Sequence, residues 1–301
     1  MPGEVLEQLR SQGVELMRTS GRNGVMPTIL RTAGACLLAC CFLGGVAGQP
    51  MELGAAEDAA NSTAVELRLT NYNIRHGRGM DQVVDLERIA RVLRDTRPDL
   101  IALQEVDVGT QRTGGVDQAA RLAELTDQQS LFGEAIAFQG GEYGNAVLSR
   151  FPIVGGENLP LPGSPGQEAR AAVFATVRVP GWDEPLVFAS FHLDHRSRAD
   201  RLAQIQALID YVRELGHPTI LAGDLNAEPD SEEYQLATSF FTDLVPDNRE
   251  GTFSSTDPRR RIDYFLFHPG AGFECVDYQV IPEEVASDHR PLRMTVRRVA
   301  R

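Results

Sequence analysis

The 301-residue chain sets 29 basic side chains, every one an arginine, against 42 acidic ones, for a net charge of −13. Such an acidic balance disfavours general attraction to the nucleic-acid backbone, which is held mainly by cationic side chains. Hydrophobic residues at 42% and charged residues at 24% exclude a disordered chain and leave room for one large core.

From the N-terminus, Thr32 to Gly48 carries no charge and is mostly apolar, with Arg31 and the earlier Arg10, Arg18 and Arg22 before it. A basic flank, an apolar centre and the small residues Val46 and Gly48 ahead of Gln49 read as an export signal, and Met26 offers a start that gives it ordinary length. The run also stands at the lower limit for crossing a bilayer, and Leu37-Leu38-Ala39-Cys40 faintly resembles a lipoprotein box. Cleavage, retention and lipidation therefore stay open, and all three put the folded part outside the cytoplasm. The expected organisation is an export signal or membrane anchor over 1–48, a small and polar linker over 49–63, and a catalytic domain over 64–301. Cys36, Cys40 and Cys41 fall in the apolar run, so an exported mature chain keeps only Cys275 and has no intramolecular disulfide or cysteine metal site.

Ala64 to Asn73 alternates through Val65, Leu67 and Leu69, the period of a strand that ends on Asn73. Asp81 to Arg97 carries Leu86, Ile89, Ala90 and Leu93 at helical spacing and stops at Pro98. Asp99 to Glu105 is an apolar strand ending in Gln104-Glu105, and a helix from Asp117 to about Asp127 follows. Short strands are predicted near Leu131, at Asn145 to Ser149, at Ala171 to Val179 and at Leu186 to His192. The longest helix, Arg198 to Leu215, aligns Leu202, Ile205, Leu208, Ile209 and Val212 and leads into the apolar run that ends at Gly223. Ile262 to Phe267 and Leu292 to Val296 complete the strands. The mixture predicts an α/β fold with two mixed β-sheets packed face to face and helices outside, a four-layer sandwich.

The stretch Leu221 to Asp230 carries the most chemistry. Period-two alternation puts Asp224 and Asn226 on one side at the mouth of their strand. A carboxylate can orient or deprotonate a water while an amide N–H holds an oxyanion, a pairing suited to attack of water on phosphorus; Gly-Asp-x-Asn is also ordinary turn composition. Similar residues recur where other strands finish: Asn73, Glu105, His192, Asp263, and Asp288 with His289. Oxygen ligands without a cysteine or histidine cluster favour Mg²⁺ or Mn²⁺ over zinc, and histidines beside carboxylates supply proton transfer near neutral pH.

The motifs in question are Thr70-Asn71-Tyr72-Asn73-Ile74, Asp99 to Glu105, Gly144 to Arg150, His192-Leu193-Asp194, Gly223-Asp224-Leu225-Asn226, Arg261-Ile262-Asp263-Tyr264 and Ser287-Asp288-His289-Arg290-Pro291. In this order, over about 64 to 298, the sequence resembles the endonuclease/exonuclease/phosphatase family. These are metal-dependent phosphoesterases that include pancreatic deoxyribonuclease, abasic-site endonucleases, neutral sphingomyelinases and inositol-polyphosphate phosphatases. The resemblance implies a metal site at Glu105 supported by Asn73 and Asp288. It makes His289, polarised by Asp263, a catalytic base or phosphate-binding histidine. Asp224 then handles the nucleophilic water, Asn226 holds developing charge, and His192 contacts the phosphate or protonates the leaving oxygen.

Three further residues are candidates for substrate contact. Arg170 either forks onto a phosphate or sits in a surface ion pair, Asn145 either faces the site or is a satisfied strand-end amide, and Arg112 opens a glycine-bearing loop. His76, His195, His217 and His268 read as solvated bystanders. The stretches around Glu105-Val106-Asp107, Arg112-Thr113-Gly114 and Tyr143 to Ile153 resemble exported bacterial members and the C-terminal region of proteins tied to glycosylphosphatidylinositol-anchor remodelling. The expected partner is therefore a phosphoester of a lipid headgroup, inositol or sugar, with a secreted nuclease as the alternative and no protein partner evident. A binding module that lost catalysis would lack one of Glu105, Asp224, Asn226, Asp288 or His289, and all five are present. Fractionation of expressing cells with N-terminal sequencing is expected to find the chain outside the cytosol; an intact cytosolic chain contradicts all three export routes.

Overall fold

The structure, a computed structural model, describes residues 65–299. The apolar N-terminal run, its cysteines and the linker over 49–63 lie outside the described residues. Among the described residues no helix is long and apolar enough to cross a membrane.

In chain order the elements are β1 (Glu66–Asn73), α1 (Leu86–Asp95), β2 (Leu100–Val108), α2 (Gln118–Thr126), β3 (Gln129–Phe138), β4 (Gly141–Ser149), β5 (Ile153–Leu161), β6 (Arg170–Val177), β7 (Leu186–His192), α3 (Arg198–Leu215), β8 (Thr219–Asp224), α4 (Glu232–Thr238), β9 (Asp263–Phe267), β10 (Phe273–Val280) and β11 (Leu292–Arg298). They build a six-stranded sheet ordered β10-β11-β1-β2-β4-β3 and a five-stranded sheet ordered β5-β6-β7-β8-β9. Each sheet is antiparallel except for one central pair: Leu69 of β1 lies opposite Leu100 of β2, and Val187 of β7 opposite Thr219 of β8, both in parallel. Parallel neighbours need a crossover, which α1 and α3 provide.

Alternation along the strands sorts the side chains into layers. Leu67, Leu69, Leu100, Ala102, Val173, Ala175, Phe188, Ile220, Ala222, Phe265 and Phe267 form the core between the sheets. The intervening residues turn outward. Ile101, Leu103, Ala146 and Leu148 pack against Ile89, Leu93 and Leu122 of α1 and α2. Phe174, Val187, Ala189, Leu221 and Leu266 pack against Ile205, Leu208, Ile209 and Tyr234 of α3 and α4. The result is the predicted four-layer sandwich.

Several boundaries differ from the sequence reading. Helix α1 begins at Leu86 rather than near Asp81, because the Asp85 side chain caps it by accepting a hydrogen bond from Arg88 N–H at 2.9 Å. Strands β5 and β10 were not predicted. Both are edge strands with mostly exposed side chains, so no apolar alternation marks them, and Pro160 is tolerated in β5 because an edge leaves N–H groups unpaired.

At one end of the inter-sheet space the same inward-facing register turns polar. Asn71 Nδ2 donates across the sheets to Gly223 O at 3.1 Å and Tyr264 O at 3.4 Å, Gln104 Nε2 donates to Asn71 Oδ1 at 2.9 Å and Ser190 Oγ at 3.0 Å, and Asn145 Nδ2 donates to Ala171 O at 2.7 Å. These buried amides bolt the sheets together through their N–H donors, while Gln104 Oε1 is left without a partner. Asn71→Ala should strand several of these groups and lower unfolding stability by about 2 kcal/mol, read as a shift of the urea midpoint. An unchanged midpoint contradicts the bolt.

Candidate active site

Strands β1, β2, β7 and β8 all finish at this polar end. Asn73 Nδ2 reaches Glu105 Oε1 at 3.1 Å and Asp224 Oδ2 at 3.3 Å, so the ends of both sheets meet in one constellation. A cleft of about 370 Å³ opens there, lined by Glu105, Arg112, Ile136, Phe138, Tyr143, Glu168, Arg170, His192, His195, Asp224, Asn226, Phe253, Asp288 and His289.

Local backbone features aim the key groups. The β2–β4 register shifts between Leu103 and Val106, and Glu105, the residue caught in that bulge, takes a left-handed φ of 57°. A bulge re-aims a side chain that strict alternation would bury under the helices, and the strain of a non-glycine residue there is the kind held in place at functional sites. Gly223 precedes Asp224 because a Cβ would stand 2.1 Å from Phe191 O. Asn226, also left-handed at φ 52°, turns its backbone N–H to Asp224 Oδ1 at 2.8 Å and its Nδ2 to Leu193 O at 3.1 Å.

The two imidazoles have opposite surroundings. His289 Nδ1 lies 3.0 Å from Asp263 Oδ2 and its Nε2 3.7 Å from Asp224 Oδ2, with the Phe253 ring tilted against it at 5.0 Å between ring centres. Burial works against its imidazolium, but Asp263, Asp224 and Asp288 outweigh it and push the ring up to about 10. His192 Nε2 lies 3.5 Å from Asp224 Oδ2, while burial and the charge of Arg170 hold that ring well below the usual imidazole range. Burial and the charge of Asp263 raise Asp224 above the ordinary carboxylate range. The carboxylate thus faces two rings of different charge from one oxygen and a backbone donor from the other.

Glu105 is raised by burial and by Asp288, so two carboxylates oppose each other, and the hydrogen bond on Glu105 comes from the neutral Asn73 amide. That donor set fits a divalent cation bound through oxygen, which would neutralise the pair. Asn73 turns its Nδ2 to the carboxylates and its Oδ1 to Arg75 N–H at 3.1 Å, so it would ligate through oxygen only after the amide turns over. Asp288 also receives Arg75 Nε at 3.4 Å. A second group that could hold a metal, Asp224, Asp263 and His289, brings three ligand-type atoms within 4.8 Å. There His289 Nδ1 and Asp263 Oδ2 are already hydrogen-bonded to each other at 3.0 Å, while Asp263 Oδ1 is buried without a partner.

The remaining sequence candidates divide. Arg112 lies at the rim, bound to both carboxylate oxygens of Asp107 at 2.7 Å and stacked over Phe138 at 4.6 Å and Tyr143 at 5.3 Å. Asn145 does not line the cleft; its amide serves the inter-sheet bolt. His195, read above as a bystander, lies in the cleft wall with its Nδ1 2.9 Å from Arg170 Nη2. Phe253, Ile136 and Phe138 line the cleft from loop and edge-strand positions that carry no signal in the sequence. Ser287 does have one: adjacent to Asp288, it donates its hydroxyl to Asn73 O at 2.7 Å and ties the last catalytic loop to β1.

Residues 70–289 match the sequence profile of the Endonuclease/Exonuclease/phosphatase family. The uncharacterized protein YbhP of Escherichia coli K12 is 26% identical over 220 residues, 69% of this chain and 86% of its own. The structure of an endonuclease/exonuclease/phosphatase from Beutenbergia cavernae DSM 12333 superposes with a TM-score of 0.62 at 30% identity, over 77% of this chain and 71% of that one. The mannosyl-6-phosphatase Bt3783 of Bacteroides thetaiotaomicron VPI-5482 shares the fold at a TM-score of 0.63 and 21% identity, over 76% of this chain and 99% of that one. With the profile covering most of the chain and the strand-end constellation in place, the protein belongs to the endonuclease/exonuclease/phosphatase family of hydrolases, which generally depend on a divalent metal.

Proposed function

We propose that this protein hydrolyses a phosphomono- or phosphodiester by direct attack of water, with Mg²⁺ or Mn²⁺ as its cation. The observation that carries the reading is Asp224: a buried carboxylate whose Oδ2 faces His192, His289 and Asn73 while Asn226 N–H holds its Oδ1. Raised by burial and by the charge of Asp263, Asp224 is a better proton acceptor than an exposed carboxylate and orients or deprotonates the attacking water. In this reading Asn226 and the imidazolium of His289, both in the cleft wall, hold the charge that develops on the phosphoryl oxygens. Glu105 and Asp288, with Asn73, would hold the cation, which when bound neutralises the phosphate and polarises its oxygens.

The rim supports a small or lipid-linked phosphoester: a lipid headgroup, inositol or sugar phosphate. Ile136, Phe138 and Tyr143 give one wall an apolar face, and the cations there, Arg112 and Arg170, are tied to Asp107 and Glu168. A net charge of −13 works against capture of long polyanions. A secreted nuclease is the second reading, favoured by the same aromatic wall, on which a base can stack.

EDTA should abolish hydrolysis of bis-p-nitrophenyl phosphate and Mg²⁺ or Mn²⁺ should restore it, while Asp224→Asn should lower kcat at least ~10²-fold with KM little changed. Full activity in chelator contradicts the metal assignment. A panel of plasmid DNA, RNA, sphingomyelin, phosphatidylinositol, inositol phosphates and sugar phosphates then separates the substrate classes; rapid nicking of DNA at ~0.15 M salt, lost in the Asp224 variant, would favour the nuclease.

Asp263→Asn gives a signed pH prediction. Its carboxylate raises both His289 and Asp224, so its removal lowers both pKa values, and both limbs of the pH–rate profile should move to lower pH. Limbs that stay fixed while the rate falls would show that Asp263 acts only through packing.

A further inference from the structure

Arg170 is 4% exposed, and its guanidinium is directed at protein groups: Nη1 lies 3.0 Å from Glu168 Oε1 and 3.3 Å from His192 Nδ1, and Nη2 lies 2.9 Å from His195 Nδ1. This is neither an open fork nor a surface ion pair. A guanidinium has donors and no acceptor, so the nitrogen of His192 that faces it must be the accepting one. An imidazole that accepts at Nδ1 carries its proton on Nε2, and Nε2 is the atom turned toward Asp224 Oδ2 at 3.5 Å. At His289 the hydrogen bonding is reversed: Nδ1 meets a carboxylate, which can only accept, and so keeps its proton.

We infer that Arg170 is a positioning residue that fixes His192 as the Nε2–H tautomer, so that His192 donates a hydrogen bond to a phosphoryl oxygen and does not protonate the leaving group. The inference rests on the phosphoesterase reading for the identity of that oxygen, and on hydrogen-bond geometry alone for the tautomer. A second proton on His192 would go to Nδ1, against the buried guanidinium. Burial, Arg170, His289 and His195 all disfavour the charged ring. A neutral ring whose remaining N–H is a very weak acid stabilises charge well and transfers protons poorly. In the resulting step the water oxygen bonds to phosphorus, its proton passes to Asp224, the bond from phosphorus to the leaving oxygen breaks, and that oxygen takes its proton from solvent at the open cleft.

Arg170 lines the cleft and its Nε has no hydrogen-bond partner, but both terminal nitrogens are aimed at protein groups, and two of those groups are histidine Nδ1 atoms. Two imidazoles facing one carboxylate are thus given different states by one arginine and one aspartate, a separation of roles set by environment rather than by residue type.

Two measurements test the assignment. In full-length protein labelled with ¹⁵N in histidine, at pH 7, long-range ¹H–¹⁵N correlations should show His192 as the Nε2–H tautomer; Arg170→Met should give a mixture of tautomers, and Arg170→Lys, which keeps a donor, should restore the single form in part. A wild-type His192 that is Nδ1–H or doubly protonated overturns the inference, and this arm needs no folded Arg170 variant. The second arm compares p-nitrophenyl and benzyl esters of the same phosphate, since only the benzyl alkoxide needs a proton to leave. His192→Ala should slow both by the same factor to within about threefold, whereas an extra loss of ~10² or more on the benzyl ester would make His192 the general acid and sink the proposal. If the wild-type enzyme cleaves neither ester, the phosphoesterase reading fails, while the tautomer measurement still decides what Arg170 does.

Discussion

The constraint on which the rest of this structure depends is that polar groups enclosed between two sheets must find partners there. An inter-sheet core is normally apolar, and here the lower part is, with Leu69, Ala102, Phe188 and Phe265 packed in it. Toward the ends of β1, β2, β7 and β8 the same inward-facing positions become Asn71, Gln104, Ser190 and then Asn73, His192 and Asp224. Each unmet buried amide costs as much as a good hydrogen bond contributes, so the amides must bond across the gap, and in doing so they fix how the sheets lie on each other. The catalytic groups inherit that fixed spacing. Distances such as the 3.3 Å from Asn73 to Asp224, which joins one sheet to the other, are set by bonds a few residues deeper in the core.

Electrostatics in the cleft follow from the same enclosure. Low solvent access makes neighbouring charges count for more: burial with Arg170 lowers His192, while Asp263, Asp224 and Asp288 raise His289. It also makes the Glu105–Asp288 pair costly to leave without a countercharge. The family fixes the class of chemistry, hydrolysis, but not the substrate, and Ile136, Phe138, Tyr143 and Arg112 line the cleft around this centre.

How much of this was legible in the sequence depended on the kind of signal. Central strands such as β2 and β8 are apolar on both faces up to Gln104-Glu105 and Asp224, so the elements and these residues could be read, although β2 resumes beyond its bulge to Val108. Edge strands β5 and β10 bury little and left no pattern. Residues whose task is local to their own strand end, such as Asp224 and Asn226, stood out; residues whose task depends on a partner far along the chain did not. For Asn145 the sequence left site contact and a satisfied strand-end amide equally open, and only its partner Ala171 O, in the other sheet, decides for the amide. His195 looked solvated because nothing in the sequence announces that Arg170 lies beside it. Phe253 packs on His289 from a loop with no periodicity. Alternation and strand-end chemistry are properties of one segment, whereas these contacts exist only after both sheets are docked.

The strand order of the six-stranded sheet carries a consequence for how the protein is born. Strand β1, near the start of the described domain, is flanked by β2 on one side and by β11 on the other, and β11 is followed in turn by β10 at the edge. Asp288 and His289 immediately precede β11. A nascent polypeptide that has emerged only as far as β9 therefore has an unpaired edge on β1 and lacks two of the groups that surround Asp224 and Glu105. Pairings so distant in sequence form late. The complete strand-end constellation is accordingly among the last features the growing chain acquires, and a translation product interrupted before Asp288 lacks part of it.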